Sequence, residues 1–136
     1  EKVFPFSLDF ILSSAHQQMS QAKKWIQYAK HVFVNLREFE ILRSFYDISD
    51  VQTLVVTSDG HPIRVFNSGR EVLCQSQPMK KFRDVTGAGD VFIGTFLASQ
   101  LKGEALYKSI KKASSIAQKS LDSIGIMPFF LLRPSD

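Results

Sequence analysis

Apolar and polar positions change their period several times along these 136 residues. Val3–Phe6 reads as a short extended run, followed by an irregular stretch to about Ser14. Between Met19 and Lys30, Ala22, Trp25, Ile26 and Ala29 recur at helical spacing, which predicts a helix with Trp25 as a core anchor. His31–Val34 is a continuous apolar run and predicts a short strand. Arg37–Phe45 follows as a helix with Phe39, Leu42 and Phe45 inward, and Thr53–Thr57 as a buried strand. Ile63–Asn67 and Glu71–Cys74 predict two antiparallel strands joined by Ser68–Gly69. From Gly89 to about Leu101 the chain is apolar on nearly every side (Val91, Phe92, Ile93, Phe96, Leu97, Ala98), the pattern of a buried helix, and Gly103 ends it. Glu104 to about Ser123 is a second helix, with Leu106, Ile110, Ala113, Ala117 and Leu121 on one stripe. No element is predicted from Ile126 onward. Strands alternating with helices, then a hairpin and two helices, give an α/β fold with a mostly parallel sheet.

Chemistry concentrates where a turn meets the apolar helix, at Asp84-Val85-Thr86-Gly87-Ala88-Gly89-Asp90. Glycines at 87 and 89 let the backbone turn sharply and come close to a ligand. The first amides of a helix lack partners inside it, so an anion there gains their hydrogen bonds and the positive end of the helix dipole. Asp90 falls in the first helical turn, beside that anion site. A carboxylate next to an anion hole meets the needs of phosphoryl transfer to a hydroxyl. The carboxylate takes the proton, and the amides stabilise charge building on the phosphoryl oxygens. Upstream, Asn35-Leu36-Arg37-Glu38 follows the first buried strand. By residue type alone it is equally a helix cap, with Asn35 at the N-cap and Glu38 at the third helical position.

The 84–90 stretch resembles the second signature of the ribokinase-like (PfkB) carbohydrate kinases, D-T-x-G-A-G-D followed by small and apolar residues. Asp84, Gly87, Ala88, Gly89 and Asp90 stand in that order, and Gly94 keeps a small residue four places on. Val85 replaces the commoner threonine, and Thr95 stands where alanine or glycine is usual. The family also carries N-x-x-E after a central strand, which here is Asn35 and Glu38, and T-x-G near the nucleotide, which here is Thr57 with Asp59 in the glycine's place and Gly60 after it. The resemblance extends from about Val3 to about Gly125. It implies a three-layer α/β/α fold, of which residues 1–136 are the C-terminal nucleotide-binding and catalytic part, without the lid. It further implies that Asp90 is the general base and that the amides of Gly87, Ala88 and Gly89 form the anion hole. Asn35 and Glu38 would organise Mg2+, its waters and the phosphates, with Thr57, Gly60 and Thr86 bordering ATP. The acceptor would be the hydroxyl of a sugar or nucleoside. Because the acceptor pocket would lie largely upstream of Glu1, this stretch alone is expected to be inactive. The alternative is a kinase-like module that binds a nucleotide or partner without turnover, and a further reading is a homodimer formed through an exposed sheet edge.

Composition narrows this little. A chain with 44% hydrophobic and 22% charged residues is an ordinary globular one, and its single cysteine, Cys74, rules out an internal disulfide. That usage fits a reducing, cytoplasmic setting. No apolar run reaches the length of a membrane span. The net charge is +4, with Lys80, Lys81 and Arg83 before the turn and Lys108, Lys111 and Lys112 on the last helix. Without a stacking pattern of aromatics this is a solvated face rather than a nucleic-acid interface. The motifs of P-loop proteins, protein kinases and dinucleotide folds are all missing. His16, His31 and His61 are scattered, as surface residues would be.

Overall fold

Five strands and four α-helices are present among the residues the computed structural model describes, which are 5–10, 15–57, 62–75 and 87–121. They fall into two units, Glu1–Met79 and Lys80–Asp136.

The first unit holds β1 (Ser7–Asp9), α1 (Ala15–Ile26), β2 (His31–Asn35), α2 (Leu36–Phe45), a single 3-10 turn at Ile48–Asp50, β3 (Thr53–Thr57), β4 (Ile63–Asn67) and β5 (Arg70–Gln75). The five strands form one sheet in chain order. β1, β2 and β3 pair in parallel, and β4 and β5 are added antiparallel, so the sheet is mixed. Its centre is apolar on both faces. Leu8, Val32, Leu54 and Phe66 are register partners across four strands, as are Phe33, Val55 and Val65 one position along. Runs such as Val32–Val34 and Leu54–Val56 are buried throughout, as parallel strands enclosed on both sides require. The core joins Val32, Val34, Leu54, Val56 and Phe66 to Met19 and Ile26 of α1 and to Phe39 and Leu42 of α2. Phe39 stacks on Phe66 with ring centroids 5.5 Å apart.

Three expectations change here. β1 lies at Ser7–Asp9, in the stretch expected to be irregular. Phe10 is in the core, with Phe6 and Leu8 packed against it, and this alternation is the strand's own signal. Trp25 is 52% exposed, whereas Ile26 is fully buried. Both follow Ala22 at helical spacing, but Met19 decides between them. Seven residues separate it from Ile26, a rotation of about 20°, while the six to Trp25 turn that ring about 120° away. His31 is buried rather than at the surface. Its Nδ1 lies 3.2 Å from the hydroxyl of Ser7, its register partner on β1. Burial, then the charge of Lys30, holds the imidazole below its ordinary pKa.

The hairpin is where the sequence places it. Ser68 and Gly69 both take positive φ, 48° and 80°, which suits the twist of a two-residue turn. A side chain at 69 would also meet the Ser49 backbone at 2.9 Å, so glycine is needed twice over. Arg64 closes the hairpin with two hydrogen bonds to Glu71, at 3.1 and 2.8 Å.

The second unit holds α3 (Ala88–Leu101) and α4 (Leu106–Leu121). Gly103, at φ 77°, ends α3, and its N–H donates to the Gln100 carbonyl. On α4, Ile110, Ala113 and Ala117 are buried on the expected stripe. α3 is less enclosed than its composition suggests. Phe92, Phe96 and Ser99 are buried, Val91, Ile93 and Leu97 are half-buried, and Gly94, Ala98 and Leu101 are exposed. A polar clasp holds the connection. Ser109 Oγ donates to Ser99 Oγ at 2.9 Å, Ser99 donates to the Glu104 carboxylate, and Gln100 Nε2 donates to Ser109 Oγ at 2.8 Å. Both buried serines are thereby satisfied, as buried hydroxyls must be.

Candidate active site

In the first unit, the expected site residues gather at the carboxyl ends of the parallel strands. Asn35 ends β2, Thr57 ends β3, and the two are register partners. That edge is where open α/β sheets hold ligands. The helix α2 begins immediately after Asn35, and a capping box forms its first turn. The Glu38 N–H donates to Asn35 Oδ1 at 2.9 Å, and the Asn35 N–H donates to Glu38 Oε2 at 2.7 Å. The cap and the ligand reading of N-x-x-E are therefore not exclusive. Each side chain spends one polar atom on the cap. Asn35 Nδ2 and Glu38 Oε1 have no hydrogen-bond partner among the described residues.

Glu38 is a carboxylate with only 4% of its surface exposed. Burial pushes its carboxyl above the ordinary value, the hydrogen bond from Asn35 opposes this, and the negative charge of Asp9 adds to the rise. Asp9 ends β1, on the sheet face shared by Phe33, Asn35 and Thr57. It shares this face two positions short of the Asn35–Thr57 row, unannounced by the sequence, because the strand carrying it was not expected. The Thr57 hydroxyl donates to the Val34 carbonyl at 3.5 Å, the outer limit of a hydrogen bond. Gly60 and Thr86 lie outside the described residues, as do Asp59, Asp84, Lys80, Lys81 and Arg83.

In the second unit, Gly87 occupies the N-cap of α3 at φ 82°, a left-handed conformation open to glycine at no steric cost. It contributes no side-chain cap, and the first helical bond runs from the Val91 N–H to the Gly87 carbonyl. The amides of Ala88, Gly89 and Asp90 precede that bond, so nothing within the helix satisfies them. A Cβ placed on Gly89 would find nothing within 4 Å, so packing does not require a glycine there. Asp90 is exposed in the first helical turn. The first unit offers the oxygens of Asn35 and Glu38, hard groups that suit magnesium, and the second offers free backbone amides at a helix N-terminus, which suit phosphate. Among the described residues no three His, Cys, Asp or Glu side chains are grouped closely enough to hold a metal by themselves, and no helix is long and apolar enough to cross a membrane.

Comparison with known proteins bears on the fold and the family. The chain is similar to adenosine kinase from Schistosoma mansoni, at 19% identity over 92% of this chain and 43% of that one, with a TM-score of 0.75. It is equally similar to a nucleoside kinase of Methanocaldococcus jannaschii, an archaeal member of the ribokinase family, at 22% identity over 90% and 43% of the two chains and a TM-score of 0.75. A Burkholderia thailandensis nucleoside kinase, solved with inosine, gives 20% identity over 90% and 43%, and a TM-score of 0.72. No curated protein sequence matches. The fold is thus an α/β fold of the ribokinase kind, and the chain spans less than half the length of these neighbours. The family model for pfkB carbohydrate kinases matches residues 2–129, and the chain belongs to that family.

Proposed function

We propose that this chain is the C-terminal, nucleotide-binding part of a kinase that moves the γ-phosphoryl group of ATP to a hydroxyl of a sugar or nucleoside. One observation carries the reading: Asp90 is exposed in the first turn of a helix whose N-cap, Gly87, is left-handed and offers the first amides no side-chain cap among the described residues. In this reading the Asp90 carboxylate accepts the proton of the attacking hydroxyl. The amides of the Gly87-Ala88-Gly89 corner receive the charge that develops on the phosphoryl oxygens. Phosphoryl transfer asks more of positioning and charge stabilisation than of the base, so an exposed carboxylate suffices. Glu38 would hold Mg2+ or its waters through Oε1, which the cap leaves over, Asn35 through the second lone pair of its capping Oδ1, and Thr57 would border the nucleotide. The metal would supply charge neutralisation for the phosphates. Gly60 and Thr86 belong to the same proposal on family resemblance. The neighbours that bind adenosine analogues or inosine favour a nucleoside among the acceptors.

The test is a screen of sugars and nucleosides with ATP and Mg2+, run on the full-length natural protein and its Asp90→Asn variant. Turnover by the parent and its loss in the variant is the expected result. Retained turnover in Asp90→Asn refutes the base assignment. Nucleotide binding without turnover of any acceptor supports a binding module instead.

A further inference from the structure

We infer that the outer face of α4 is a docking ridge for an acidic protein segment, a role independent of the phosphoryl-transfer reading. Lys108, Lys112, Ser115 and Lys119 follow one another at intervals of four, three and four residues, so they share a stripe along the helix. Lys111 flanks it. Together with Glu104 and Ile116, these side chains line a shallow groove of about 450 Å³. The stripe is about 16 Å long at 1.5 Å per residue. That is the length of three helical turns, or of a short extended segment.

Charge favours an acidic occupant. Four lysines face one carboxylate, and Glu104 is already engaged by Lys112 at 3.6 Å and by Ser99. Lys108 and Lys111 form no ion pair among the described residues. Like charges three or four residues apart disfavour a helix, and glutamates from a partner would relieve this. The buried face of α4 is Ile110, Ala113 and Ala117, on the side away from these lysines. The ridge offers little to other polyanions. A membrane-surface helix presents large apolar residues beside its basic ones, and the half-buried Ile116 is the one apolar residue that lines this groove. Single-stranded nucleic acid needs aromatic platforms, and no aromatic lines the groove.

The experiment measures fluorescence anisotropy of a labelled helical peptide with glutamates at the spacing of the lysines, titrated with the whole chain. Lys108→Glu/Lys111→Glu/Lys119→Glu is compared with a control carrying the same charge change elsewhere, Lys23→Glu/Lys24→Glu on α1 with Lys30→Glu just before β2. Circular dichroism confirms that both variants keep the parent's helix content. The expected result is binding that weakens steeply with salt, and weakens about tenfold in the ridge variant but less than about threefold in the control. Equal losses in the two variants would mean that net charge alone is being read and would overturn the inference. So would duplex DNA or anionic vesicles that bind more tightly than the peptide and depend on the same lysines.

Discussion

Glu38 can be made to separate its two proposed roles. Its Oε2 accepts the Asn35 N–H at 2.7 Å, and the Glu38 side chain is buried although Leu36 and Arg37 of the same turn are exposed. Glu38→Ala removes that acceptor and leaves a half-buried donor unpaired. A charge-assisted hydrogen bond of this kind contributes about 1.5–3 kcal/mol. For a domain of this size the melting temperature should fall by roughly 5–15 °C. Glu38→Gln keeps an acceptor for Asn35, since glutamine completes a capping box as well as glutamate does. The sign of its effect follows from the raised pKa. The folded state binds the Glu38 proton more tightly than the unfolded chain, whose value is 4.5. Glu38 therefore contributes its full stability below pH 4.5 and loses it as pH rises through the folded pKa. The Gln variant lacks this loss, so it should gain on the parent as pH rises from 4 to 7, and at pH 7 it should be at least as stable. Mg2+-dependent ATP affinity should fall in the same variant. Thermal melts at pH 4 and 7, with calorimetric titration of ATP in the presence and absence of Mg2+, read both effects. If Gln destabilises at pH 7 as much as Ala does, ionisation rather than the hydrogen bond sustains the cap, and the reasoning fails. If Gln leaves Mg2+-dependent binding intact, Glu38 is a cap only.

Two further tests follow from the same geometry. Gly89→Ala and Gly94→Ala both add a methyl group to open space on α3, and each should cost no stability and gain up to about 1 kcal/mol in the melt. Only Gly89→Ala should weaken ATP binding, and equal affinity in the two variants would remove the phosphate from that corner. His31, held below its ordinary 6.5, stays neutral in the folded chain where the unfolded chain takes up a proton. Its contribution is present above pH 6.5 and is lost as pH falls through the folded value. The stability difference between the parent and His31→Gln, followed by urea denaturation, should shift against the parent on acidification below pH 6.5. A difference that does not change with pH would place the imidazole in contact with water.

Local rules account for what could be read from the chain alone. A Ser-Gly pair between alternating runs makes a hairpin, an Asn three residues before a Glu makes a cap, and glycines beside an alanine and an aspartate open α3 with a left-handed turn. Each depends on neighbours within about four residues, so the chain carries the whole instruction, and the family follows from the same heptapeptide. Other features waited for distant partners. β1 is only three residues long and is a strand because β2 pairs with it. The choice of Ile26 over Trp25 rested on what the helix packs against, and the burial of His31 on Ser7 across the sheet. Asp9 reaches the sheet face of Asn35 and Thr57, two positions short of their row, only through parallel pairing, which sets strands side by side whatever their separation in sequence. Hydrophobic spacing states which faces are apolar. Pairing and packing decide which of those faces meet.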